Sequence, residues 1–72
     1  MEYGLVLFHS VQGAIRAERI LMAAGLRPKL IPVPRHLSSQ CGVALRFEWG
    51  VCQELQTSLE AAGVEWDRIV KL

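Results

Sequence analysis

The chain has 72 residues, a formal net charge of +1 and 51% hydrophobic residues. That is room for one domain spanning residues 1–72, because a chain of this size buries only about 60% of the surface its unfolded form exposes. The apolar content excludes a disordered chain, and the near-neutral charge argues against a grip on nucleic acid or a membrane surface through bulk charge.

Tyr3 to Phe8 is an apolar run of the length of a buried strand. His9 and Ser10 end it, and the Ser10 hydroxyl can accept from an orphan N–H of a following helix. That helix is expected from Val11 to Ala24, with Gly25 as its stop. Val11, Ala14, Ile15, Leu21 and Met22 recur at helical spacing and are expected on its buried face, with Gln12, Arg16 and Arg19 opposite. Glu18 falls inside the apolar arc, where an isolated charge is too costly. It is expected to pair with an arginine or to reach solvent.

Lys29 to Val33 reads as a second strand. Pro32 and Pro34 lie two apart, so both missing N–H groups fall on one side of an extended chain. That suits an edge strand and not a central one. Arg35 to Gly42 reads as a loop. Val43 to Trp49 alternates, with Val43, Leu45 and Phe47 on one face and Ala44, Arg46 and Glu48 on the other. Gly50 breaks the pattern. A second helix is expected from Val51 to Ala62, with Val51, Leu55, Leu59 and Ala62 on its apolar face, Gly63 as its stop and a last strand from about Trp66 to Leu72. The order strand, helix, strand, strand, helix, strand gives the α+β class. It fits a ferredoxin-like two-layer sandwich, one antiparallel sheet with two helices on one face and strands one and three central.

With right-handed crossovers, this topology gathers the end of strand one, the start of helix one, the end of strand two and the start of strand three at one end of the sheet. His9, Ser10, Arg35, His36, Ser38, Ser39 and Cys41 are therefore expected to converge. Arg35 and His36 bring positive charge to Cys41 and the first helix brings unpaired N–H groups; both favour a thiolate. Gly42 leaves room for close approach and permits a positive φ. The alternative is that Cys41 is a small buried hydrophobe, with Arg35 and His36 on a solvated loop, His9 a structural histidine and Ser38 and Ser39 turn residues. Cys52, at the start of the second helix, is expected at the opposite end of the sheet as core or core edge, out of disulfide reach of Cys41.

Leu7-Phe8-His9-Ser10, Ala17-Glu18, Leu30-Ile31-Pro32-Val33-Pro34-Arg35 and Ser38-Ser39-Gln40-Cys41-Gly42-Val43-Ala44-Leu45 resemble the selenium/sulfur carrier protein-like family. The resemblance runs from Tyr3 to about Leu72, and its most specific part is the Pro-x-Pro-Arg and Ser-Ser-x-Cys-Gly pair. It implies a carrier that holds sulfur or selenium on Cys41 as a persulfide or selenosulfide, with Arg35, Ser38, Ser39 and Gly42 as motif neighbours and other proteins as donor and acceptor.

No apolar run spans a bilayer and the N-terminus lacks the features of a signal peptide, so a cytoplasmic chain with thiols and no disulfide is expected. Two cysteines and two scattered histidines do not make a metal-ligand spacing; no metal and no cofactor is expected. The other reading is a non-catalytic binding, regulatory or dimerisation module. Leu5 and Leu7 against Val6 and Phe8 put apolar side chains on both sides of strand one, and an exposed apolar sheet face calls for a homodimer or protein partner. RNA binding on the sheet lacks the interleaved aromatics. A hydrolase lacks a group to orient a histidine.

Overall fold

The computed structural model describes residues 1–37 and 41–72. In chain order they form β1 (Tyr3–Leu7), α1 (Val11–Ala23), β2 (Lys29–Pro32), β3 (Val43–Glu48), a 3₁₀ turn (Trp49–Val51), α2 (Cys52–Ala61) and β4 (Arg68–Lys71). The sheet order is β2-β3-β1-β4, every neighbour antiparallel. This is the expected ferredoxin-like sandwich, with β1 and β3 central. β3 ends one residue early because the chain turns at Trp49, whose amide donates to the Glu2 carbonyl at 3.0 Å.

The caps follow from single residues. The Gly13 amide donates to Ser10 Oγ at 3.1 Å, so Ser10 caps α1. Ser10→Ala is expected to remove about 1 kcal/mol of stability, read as a lower midpoint in urea unfolding. An unchanged midpoint would mean that water satisfies the Gly13 amide equally well. Both helices close in the same way: the Leu26 amide reaches back to the Leu21 carbonyl at 3.0 Å, and the Val64 amide to the Leu59 carbonyl at 2.9 Å. Leu26 and Val64 are thereby buried, which completes the apolar contact such helix ends favour.

Alternation along the central strands sends side chains to two faces. Val6, Phe8, Leu45 and Phe47 join Ala14, Ala17, Leu21, Leu55 and Leu59 in the core between sheet and helices. Leu55 and Leu59 lie on the face of α2 that the spacing indicated. The buried face of α1 needs correcting. Ala14, Ala17 and Leu21 are buried, whereas Val11, Ile15 and Met22 are exposed along one flank. The two alanines let the helix approach the sheet closely, and this turns the bulkier residues outward. Glu18 is half-exposed beside them. It takes part in neither ion pair found among the described residues, Lys71–Glu2 at 3.1 Å and Arg68–Asp67 at 3.9 Å, so of its two expected fates it takes solvent.

On the helix-free face Leu5, Leu7 and Ala44 are fully buried, with Ile31, Val33, Leu37 and Val70 packed against them. The expectation of a bare apolar sheet face therefore fails at Leu5 and Leu7, which the chain's own 33–37 segment and edge strands help to cover. At the β2 edge the Val33 amide points inward, donating to the Gly42 carbonyl at 3.1 Å. Pro32 and Pro34, one residue to either side, thus turn their nitrogens outward, where no ladder bond is needed.

Candidate functional site

The strand register sets the rim that carries Cys41. Leu7 lies opposite Ala44 and Arg68, and Pro32 opposite Val43. The ends of β1 and β2 and the starts of β3 and β4 therefore share one end of the sheet. His9 and Ser10 follow β1 there, and Arg35, His36, Cys41 and Gly42 lie in the β2–β3 connection. The elements that carry these residues meet at one end of the sheet, as the topology requires. Ser38 and Ser39 lie outside the described residues.

Cys41 is half-buried and packs against the core on the helix side of the sheet. Its thiol donates to the Val43 carbonyl at 2.8 Å. Gly42 adopts φ +73°, the left-handed region that favours glycine, and among the described residues a Cβ built there would meet nothing within 4 Å. Upstream, the Leu37 amide donates to the Pro34 carbonyl at 3.0 Å, closing a turn with Arg35 and His36 at its two central positions, both exposed.

The hydrogen bond to Val43 is one that only the protonated sulfur can make. The sequence suggests cationic and amide donors that would steady a sulfur anion; the bond to Val43 engages an acceptor. To react as a thiolate, the sulfur must release its proton and turn from the Val43 carbonyl, because the lone pairs of that oxygen repel an anion.

His9 and Ser10 sit on a different part of the rim. With Phe8, Gly13 and Arg16 of the α1 side and Gly63, Val64 and Glu65 of the α2–β4 connection, they line an open hollow of about 270 Å³ that does not include Cys41. Arg16 Nη2 donates to the Ala62 carbonyl at 2.9 Å and fastens the middle of α1 to the residue that caps α2. Sequence reading missed Arg16 and Glu65 here. The available signal was topological: a chain leaving α2 for β4 must return to the rim where β1 ends.

Cys52 opens α2, beyond the far end of β3 from Cys41. It is half-buried against the helix-side core and accepts from Gln56 Nε2 at 3.3 Å. No disulfide joins the two cysteines. Among the described residues, no group of three or more His, Cys, Asp or Glu is placed to hold a metal ion, and no helix is long and apolar enough to cross a membrane.

A family model described as "Putative Se/S carrier protein-like" matches residues 3–71. Among curated proteins, the "Uncharacterized protein YtiA" of Escherichia coli (strain K12) is 36% identical over 52 residues, covering 72% of this chain and 58% of that protein. The chain thus spans a little over half the length of this relative. No solved structure matches.

Proposed function

The chain belongs to the Se/S carrier protein-like family, and from that membership we propose that Cys41 carries sulfur or selenium, as a persulfide or selenosulfide, between a donor and an acceptor protein. The observation that carries this reading is the setting of Cys41: half-buried at the sheet rim, followed by a glycine at φ +73° whose missing side chain would meet nothing among the described residues. A carrier thiol needs access. Arg35, Ser38, Ser39 and Gly42 are its assigned motif neighbours, Arg35 and the two serines to bind the charge of the loaded sulfur. His9 and Ser10 are assigned to the partner's footprint on the same rim. The cytoplasm suits such a thiol, since reducing conditions there keep it from idle disulfides.

Loading is a thiol–disulfide type exchange. Cys41 gives its proton to solvent, and the thiolate attacks the outer sulfur of a donor persulfide. A new S–S bond forms at Cys41, the donor's S–S bond breaks, and the donor leaves as a thiolate. The transferred sulfur keeps its oxidation state, so no external oxidant or reductant enters. Unloading repeats the exchange with an acceptor thiolate attacking the outer sulfur.

Incubation with a cysteine desulfurase and cysteine should add the mass of one sulfur to the Cys41 peptide. The gain should vanish in Cys41→Ser and persist in Cys52→Ser. A Cys41 that alkylates readily yet gains no sulfur from persulfide donors would overturn the reading. Cellular function surviving Cys41→Ser would favour the non-catalytic binding module instead, for which the hollow beside His9 offers a surface.

A further inference from the structure

We propose that the hollow between α1 and the α2–β4 connection binds a small α-amino acid as its zwitterion, with the Arg16 guanidinium on the carboxylate and the Glu65 carboxylate on the ammonium group. Cys41 is not among the residues that line this hollow, and the proposal stands apart from the carrier reading. The buried side chains of Phe8 and Val64 give the hollow an apolar base. Gly13 keeps it open: a Cβ there would stand 3.3 Å from Ser10 Oγ and 3.8 Å from Phe8 Cδ1.

Opposite charges line this hollow without meeting. Arg16 Nη2 donates to the Ala62 carbonyl at 2.9 Å, which holds the guanidinium in place. That is its one hydrogen bond among the described residues, so most of the N–H donors of the guanidinium fork remain for a ligand. Glu65 takes part in neither ion pair found among the described residues. A direct Arg16–Glu65 pair would close the hollow; instead a cation and an anion share it with space between them. A purely anionic ligand would meet repulsion from Glu65, and a purely cationic one from Arg16. A molecule with both charges on neighbouring atoms satisfies the two groups together, and a carboxylate matches the planar guanidinium. The volume of about 270 Å³ falls below the roughly 300–1,000 Å³ of pockets that take drug-sized ligands, so the occupant is small.

The test is a titration of the chain with L-alanine, acetate or ethylammonium at fixed ionic strength, followed by the amide NMR shifts of Gly13, Gly63 and Glu65. L-Alanine should shift them saturably, at concentrations on the order of millimolar because the charges are exposed to water. Acetate and ethylammonium, each with one of the two charges, should bind about fivefold more weakly. Glu65→Gln should weaken L-alanine by about the same factor and leave acetate no weaker than before. Arg16→Gln should weaken both L-alanine and acetate. Should that chain fail to fold without its tie to Ala62, the exposed Glu65 position still decides the matter. The proposal is overturned if L-alanine gives no saturable shift at these amides, if acetate binds the parent chain as tightly as L-alanine does, or if Glu65→Gln leaves the L-alanine affinity unchanged.

Discussion

Phe47→Ala is expected to lose about 3–5 kcal/mol of stability, out of the roughly 4–11 kcal/mol that a chain of this length holds at ordinary per-residue values. Phe47 is fully buried on central strand β3 and faces the helices. Its ring stacks on Trp49, with centroids 5.9 Å apart and planes 25° from parallel. Its partner across the ladder is Gly4, which has no side chain to fill a void. Truncation thus removes the burial of one aromatic ring and a ring–ring contact, and leaves a cavity whose neighbour cannot collapse into it. Urea unfolding followed by circular dichroism measures the loss. A midpoint close to that of the parent chain would show that the core does not depend on this ring.

Gly4→Ala approaches the same spot from the other strand. A Cβ at Gly4 would stand 2.6 Å from Trp49 Cε3 and 2.7 Å from Phe47 Cζ. Both rings would have to move, and Trp49 has little freedom because its backbone amide is tied to Glu2. Overpacking of this kind costs about 1–3 kcal/mol. The two substitutions should not add. In the Phe47→Ala background the new methyl group enters the vacated space, so Gly4→Ala should cost less there by about 1 kcal/mol, the size of coupling expected between residues in contact. Strict additivity across this double-mutant cycle would contradict the packing.

The elements were legible because each is announced by local chemistry. Ser10 starts α1, the Ala-Ala-Gly device closes both helices, and the two prolines mark β2 as an edge. The strand order then followed from general topology, and with it the arrival of Cys41, His9 and Ser10 at one rim. Three things were not legible. The face of α1 was misjudged because Val11, Ile15 and Met22 outweigh Ala14 and Ala17 in hydrophobicity, whereas close approach to the sheet selects small residues. The packing of Leu37 on the helix-free face was invisible because an irregular segment has no periodicity to read. The direction of the Cys41 thiol depends on the backbone turn at Gly42, which a sequence permits without specifying.

The outward-facing prolines of β2 bear on how copies of this chain could associate. With no amide hydrogens to offer at those two positions, that margin is a poor template for another strand, and a sheet growing by strand addition would extend more readily past β4. Two copies joined there would form one doubled sheet with both β2 margins outermost. The connections that carry Cys41 would then stand at opposite extremes of the assembly, well apart from one another.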